Sequence, residues 1–329
     1  MENGAFFNRR LLLGAGAAAL AAPALLTGRT AQAQEAKPLA GRLFPPEINR
    51  FKVGALEVTV IKDGLRASGK PAETFGTNQK PEDVAKLLEE NFLPTEAYAN
   101  GFSPVLVKSG DELVLFDTGF GEAGREWGGG RLMDGLAAAG YAADDVTLVV
   151  LTHLHGDHIG GMTEKGQAAF PKARYVTGAT EYDFWTSPAR VGTPAEGGQK
   201  GVLAKVKPFA EKFTFIKDGA AVAGGITAME APGHTPGHMI YRLESEGRQL
   251  VLTADTANHY VLSLQRPDWE VRFDMDKAAG AATRKRVFDM IAADRLPFLG
   301  YHMPFPSVGY VEKAGEGYRY VAKSYQFDV

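Results

Sequence analysis

Three histidines and one aspartate fall within six residues, His153-Leu154-His155-Gly156-Asp157-His158, directly behind the apolar run Val146 to Leu151 and just ahead of Gly160-Gly161. The run is short, β-branched and apolar, which predicts a buried strand. Ligand-binding groups in α/β sheets gather beyond strand ends, so side chains leaving this strand can converge on one point. A lone histidine there is ordinarily a packed or surface residue. Four ligand-type side chains at H-x-H-x-D-H spacing, closed by two glycines that permit a tight turn, are not a packing pattern. Imidazole and carboxylate together suit a borderline or hard divalent ion, with zinc the leading choice.

Two such ions need about seven protein groups plus water, and the rest of the chain supplies them. His234 and His238 lie in the Pro/Gly-punctuated turn Ala231-Pro232-Gly233-His234-Thr235-Pro236-Gly237-His238, between two strand-like runs. The apolar strand Leu250 to Ala254 ends in Asp255, and His302 follows Pro297-Phe298-Leu299-Gly300-Tyr301. Three further strand ends therefore each carry a ligand-type residue.

With these motifs and Asp117-Thr118-Gly119, the chain from about Phe51 to its C-terminus resembles the metallo-β-lactamase superfamily. The resemblance implies an α/β fold, the four-layer αββα sandwich. It assigns His153, His155 and His234 to a first metal and Asp157, His158 and His302 to a second, with Asp255 bridging. It implies that Asp117 is a buried structural carboxylate and that His238 supports the site without touching metal. His259 is expected at a pocket wall or on the surface.

Within the superfamily the chain is most similar to the methyl parathion hydrolase group. The similarity rests on Ala169-Phe170-Pro171, Asp183-Phe184-Trp185, His302-Met303-Pro304-Phe305-Pro306 and Gly315-Glu316-Gly317-Tyr318-Arg319. Those enzymes hydrolyse organophosphate triesters, and their relatives open lactones and cleave aryl esters. The resemblance implies a substrate pocket with Trp185, Phe184, Trp127 and Val202. It departs at Val202, where a Phe is expected soon after Lys200-Gly201, and in the segment Phe120 to Gly130 around Trp127.

The ligand set implies hydrolysis of a small-molecule ester, lactone or phosphotriester. Two ions sharing Asp255 and a water would lower that water's pKa from ~15.7 towards ~7, giving a bridging hydroxide nucleophile. Asp157 and Asp255 are then the catalytic carboxylates, Asp157 orienting the hydroxide or taking its proton. With no cysteine in the chain, a thiolate mechanism is excluded. Other activities on this fold remain as alternatives. A β-lactamase typically carries Cys or His where Asp255 stands, and iron-dependent flavodiiron relatives carry Glu in place of His155. A thioesterase or a glutathione-dependent dioxygenase is also open.

The N-terminal segment predicts export from a bacterial cell. Asn8-Arg9-Arg10-Leu11-Leu12-Leu13, an Ala/Leu-rich run to about Leu26 and Ala31-Gln32-Ala33 form a twin-arginine-type signal peptide over residues 1–33. Periplasmic or secreted protein starting at Gln34 is expected. The leader carries Arg9, Arg10 and Arg29 against Glu2, so the chain's net charge of −3 becomes −5 after its removal. An acidic body argues against a nucleic-acid partner. No apolar stretch of ~20 residues follows Gln34, so no stable membrane insertion is expected. A homodimer is compatible with the family resemblance.

Residues 34–329 are expected to form one hydrolase domain with two similar halves, about 51–190 and 200–329. The first half should hold a strand Leu56 to Ile61, a hairpin Pro104 to Lys108 and Glu112 to Phe116, a helix Arg131 to Ala139, the motif strand, a strand Ala173 to Val176 and a helix Ala179 to Trp185. The second should hold a helix Gly201 to Lys212, strands at Phe213 to Ile216, Ile226 to Glu230, Met239 to Leu243 and Gln249 to Ala254, a helix Asp276 to Ala293 and the strand before His302. Tyr318-Arg319-Tyr320 reads as a β-edge or a packing segment. Lys205, Lys207, Lys212 and Lys217 read as a solvated face, and Arg284-Lys285-Arg286 as helix surface.

Overall fold

Alternate residues of the strand Glu112–Phe116 enter different cores. Val114 and Phe116 pack with Val58, Leu148 and Val150 and with Tyr241, Leu243 and Leu252 of the other half. Leu113 and Leu115 turn the opposite way, onto Leu132, Leu136, Val149 and Tyr175. A strand buried on both faces must lie inside a layered structure, because successive side chains point to opposite sides of a sheet. The computed structural model describes residues 47–328. The expected leader, residues 1–33, lies outside the described residues.

Two seven-stranded sheets make the inner layers. In chain order, the first holds Ile48–Val53, Leu56–Ile61, Val105–Ser109, Glu112–Phe116, Leu148–Val150, Arg174–Gly178 and Phe213–Ile216, and the strands are neighbours in that same order. The second runs from Ala221–Ala223 through Ile226–Glu230, Met239–Ser245, Arg248–Ala254, Phe298–Gly300 and Val308–Ala314 to Gly317–Ala322. Each sheet contains the same unit: an antiparallel hairpin whose second strand pairs in parallel with the next. In the first sheet Glu112–Phe116 lies parallel to Leu148–Val150, and in the second Arg248–Ala254 lies parallel to Phe298–Gly300. The ends of these parallel strands carry Asp117, the H-x-H-x-D-H run, Asp255 and His302.

Helices cover both outer faces, giving the αββα sandwich. Leu132–Ala138, Ala179–Thr186 and Glu196–Lys205 cover the first sheet through Leu132, Leu136, Trp185 and Val202. Lys277–Ala293 covers the second through Val287, Phe288 and Ile291. Each fully buried aliphatic side chain contributes about 1.5–3 kcal/mol relative to exposure. No helix among the described residues is long and apolar enough to cross a membrane.

Several elements depart from expectation. The helix expected over Gly201 to Lys212 is Glu196–Lys205 followed by a 3-10 turn, Lys207–Lys212. Pro208 explains the break, since it offers no N–H to the preceding turn and disfavours helix at Lys207. The helix Pro81–Glu90 lies outside the expected set, although Val84, Leu87 and Leu88 behind Pro81 carry the i, i+3, i+4 spacing. It packs on Phe75, Val261, Leu262 and Trp269. Lys205 and Lys212 are not freely solvated. Lys205 Nζ donates to Gly160 O at 2.9 Å and Thr163 Oγ1 at 3.0 Å, and Lys212 Nζ to Pro171 O at 2.9 Å.

Candidate metal centre

Two strand ends adopt left-handed backbone where no glycine stands. Asp117 has φ 59° and Ala254 has φ 42°, a conformation costing about 1–3 kcal/mol that persists only where surroundings impose it. Each lies at the end of the first strand of its half's parallel pair. Asp117 turns its carboxylate under the motif loop: Oδ1 accepts from Thr152 N at 2.8 Å, and Oδ2 accepts from Thr152 Oγ1 at 2.9 Å and meets His158 Nδ1 at 2.8 Å. Ala254 brings Asp255 into the centre.

All seven expected ligand residues come together. His153 Nε2 and His234 Nε2 lie 3.0 and 2.9 Å from His155 Nδ1, so three imidazole nitrogens face one point. Asp255 Oδ1 is 3.3 Å from His158 Nε2, while its Oδ2 is 3.3 Å from His234 Nε2 and 3.0 Å from His302 Nε2. Asp157 Oδ2 lies 3.5 Å from the Nε2 atoms of both His158 and His302. Asp255 thus touches both groups of ligands. His155 and Asp157 are the half-buried members, and the centre opens on their side.

Outer hydrogen bonds aim the rings. His153 Nδ1 meets Thr152 Oγ1 at 3.2 Å, His234 Nδ1 meets Asp274 Oδ1 at 3.0 Å, and His302 Nδ1 meets Gly101 O at 2.8 Å. Partners of this kind fix the tautomer and orientation of ligating histidines. His238 supports the centre from outside: its Nδ1 meets Ala231 O at 3.1 Å and its Nε2 accepts from Asp255 N at 3.1 Å.

Charges in the cluster set one another. Burial and the neighbouring His158 hold His153 well below the ordinary histidine range, and burial with His234 does the same for His155. Burial opposes charge on His234 too, but Asp255 and Asp274 push it up to about 9. His158 is driven well above its usual value by Asp117, Asp255 and Asp157 despite burial. His302 and His158 hold the Asp255 carboxyl far down against its own burial.

The residues fit a pair of divalent ions. His158 Nε2 and Asp255 Oδ1 are fully buried and make no hydrogen bond, although 3.3 Å apart. Buried polar atoms are nearly always satisfied, and an imidazole nitrogen beside a carboxylate oxygen is a ligand pair for zinc. His153, His155 and His234 form one group, and His158, His302 and Asp157 another. The family model described as metallo-beta-lactamase superfamily matches residues 103–289, which include the H-x-H-x-D-H run, His234 and Asp255. The chain belongs to the metallo-beta-lactamase superfamily.

Its relatives in the superfamily are distant in sequence. The chain is 29% identical over 174 residues to the atrochrysone carboxyl ACP thioesterase of Passalora fulva, covering 53% of this chain and 42% of that protein. It is 23% identical over 172 residues to an N-acyl homoserine lactonase of Bacillus sp, covering 52% and 62%. The chain spans about half the length of the curated relatives it matches. Among solved structures, the dizinc quorum-quenching lactonase AidC is similar at 26% identity and a TM-score of 0.77, covering 85% of this chain and 98% of that one. The hydrolase AbOPH shares the fold at 24% identity and a TM-score of 0.79, covering 86% and 99%.

The expected pocket residues divide. Val202 is fully buried in the core between helix and first sheet, which corrects its expected place in a substrate pocket. Trp185 is also buried, with its ring 5.8 Å from that of His155 and its indole N–H donated to Glu181 at 2.7 Å. Phe184 is half-buried beneath the Arg190 guanidinium. Trp127 packs on Phe120 and Phe102, and Phe102 lies against the His302 ring at 5.4 Å. His259, expected at a wall or on the surface, is instead a buried cap: its Nδ1 accepts from Val261 N and Leu262 N, both at 3.1 Å.

Arg284 corrects the surface expectation for its segment. It is completely buried, with Nη2 2.6 Å from Asp274 Oδ2 and Nε donating to Thr256 O at 2.9 Å. Asp274 and Glu181 also support the centre and went unread in the sequence. Asp274 sits between the exposed Phe273 and Met275, with no periodicity to mark it. Glu181, in the first turn of a helix, looks like any favourable acidic start.

Proposed function

We propose that this protein is a dinuclear metal-dependent hydrolase that opens lactones and cleaves related esters. The position of Asp255 carries the reading: one carboxylate lies within 3.3 Å of His158 and His234 and 3.0 Å of His302, reaching both ligand groups. His153, His155 and His234 would hold one ion, Asp157, His158 and His302 the other, and Asp255 both. Such ions, when bound, supply a water acidified to a pKa near ~7 and polarise a substrate oxygen.

The protein's own groups do the rest. The buried floor, with His153, His158 and Asp255, keeps bulk water from the ligands. Tyr301 fixes the motif loop by donating its hydroxyl to Asp157 O at 2.7 Å. The Asp157 carboxylate stands at the open side, where it can take up a proton from the reacting water or return one to the leaving alkoxide. Likeness to the dizinc lactonase and to the curated lactonase favours a lactone among possible esters.

The test pairs metal analysis with initial rates on an aliphatic lactone, an aryl ester, an acyl thioester and methyl parathion. About two equivalents of zinc with the lactone or aryl ester turned over is the expected result. Preference for the thioester would replace the substrate assignment with a thioesterase. Preference for methyl parathion would make it a phosphotriesterase. Bound iron without hydrolysis of any of the four would overturn the reading.

A further inference from the structure

Glu181 is a fully buried carboxylate outside the ligand set, and four donors converge on it. Its Oε1 accepts from Leu154 N at 3.0 Å and Trp185 Nε1 at 2.7 Å. Its Oε2 accepts from Thr235 Oγ1 at 2.7 Å and Gly237 N at 2.9 Å. Leu154 stands between His153 and His155, and Thr235 follows His234 directly. One carboxylate therefore fastens both segments that carry the three-histidine group, and braces the Trp185 ring that packs on His155.

The second group is held by other means. Asp117 meets His158 Nδ1, Gly101 O meets His302 Nδ1, and Tyr301 binds the Asp157 backbone. None of these contacts involves Glu181. The backbone shows how closely the start of the Glu181 helix approaches the His234 turn: a Cβ on Gly237 would lie 2.1 Å from Glu181 N, and one on Gly178 2.8 Å from Gly237 O. Glycine is needed at both positions for the helix Ala179–Thr186 to seat against the histidine-bearing turn.

We propose that Glu181 is a positioning residue for the three-histidine group alone, setting the affinity of that metal position and not of the other. The proposal rests on the dinuclear reading. A carboxylate offers acceptors to all four donors, whereas an amide must turn an NH2 group toward at least one of them. Thr235 can rotate its hydroxyl to accept; Leu154 N, Trp185 Nε1 and Gly237 N cannot. Glu181→Gln therefore keeps the volume and disrupts the clamp. Lost outer partners of metal ligands typically cost about 10- to 100-fold in affinity.

The experiment isolates each position. His302→Ala leaves the three-histidine group whole, and His153→Ala leaves the other group. Zinc affinity is measured by competition with a chelator in both backgrounds, with and without Glu181→Gln. The expected result is an affinity about 10- to 100-fold weaker in the His302→Ala background, and unchanged in the His153→Ala background. Equal weakening in both would make Glu181 a general packing residue, and no weakening in either would also overturn the proposal. Should Glu181→Gln fail to fold, Trp185→Phe withdraws one donor and keeps a ring against His155. It must weaken the same position selectively, and an affinity unchanged at both positions overturns the proposal. Wild-type protein that binds no divalent ion would instead sink the dinuclear reading itself.

Discussion

Arg284 and Asp274 form an ion pair at 2.6 Å with both side chains about 1% exposed, and the second oxygen of Asp274 holds His234. A guanidinium is buried here because every direction of its fork is used. Beyond Asp274, its Nε reaches Thr256 O and its Nη1 reaches Pro267 O and Trp269 O. It thus joins the loop after Asp255 to the carboxylate behind His234.

Arg284→Ala is expected to cost about 3–5 kcal/mol of stability, because Asp274 loses its guanidinium partner inside the core and the carbonyls of Thr256 and Pro267 lose their donor. Arg284→Lys should recover little, since one ammonium cannot reproduce the planar fork. Urea unfolding of the metal-free protein measures both. A loss below about 1 kcal/mol for Arg284→Ala would show that Asp274 is satisfied without the guanidinium, against the cost expected for breaking a buried pair.

Trp185 is expected to act on all substrates alike. At 3% exposed and hydrogen-bonded to Glu181, it belongs to the scaffold. Trp185→Ala opens a cavity worth about 3–5 kcal/mol and should lower kcat/KM for aryl and aliphatic esters by the same factor. A selective loss on aryl substrates would return Trp185 to the pocket wall.

These two residues mark where the sequence is readable. Each residue of the centre was legible because it sits at a sharp boundary: an apolar strand ends and a histidine or aspartate follows, beside Gly or Pro in the motif loop and the His234 turn and directly after the strand at Asp255. Val114, Phe116 and Leu115 likewise announce a strand by composition alone. Arg284 and Glu181 carry no such mark. Apart from Trp185, four residues on from Glu181, their partners lie 10 to 56 residues away, and a charged side chain on a helix looks the same in sequence whether it meets solvent or a buried partner. Val202 failed for the complementary reason, since a position inherited from family likeness says nothing about which helix face it occupies.

His259 provides an acid-sensitive element away from the ligands. Its Nδ1 accepts two backbone N–H groups, which requires a neutral ring, and burial pulls its pKa down to about 4. The unfolded chain binds that proton near the ordinary value of about 6.5. The contribution is therefore fully present above pH ~6.5 and is lost as pH falls towards 4, because the unfolded state then holds more protons. The loss should approach about 3 kcal/mol. His259→Asn keeps an acceptor near the Nδ1 position and does not titrate, so its stability should fall less steeply across that window. Identical slopes for wild type and variant would remove His259 from the acid response.

His302 tests the second ligand group most directly. Gly101 O holds its Nδ1 at 2.8 Å, leaving Nε2 to face Asp255 at 3.0 Å and Asp157 at 3.5 Å. The ring also stands edge-on to Phe102, so it is fixed from two sides. His302→Ala should reduce bound zinc from about two equivalents to about one, with most activity lost. The first group keeps His153, His155 and His234, so the remaining equivalent should stay tightly bound. Two retained equivalents with an unchanged rate would show that Asp157, His158 and Asp255 suffice without it.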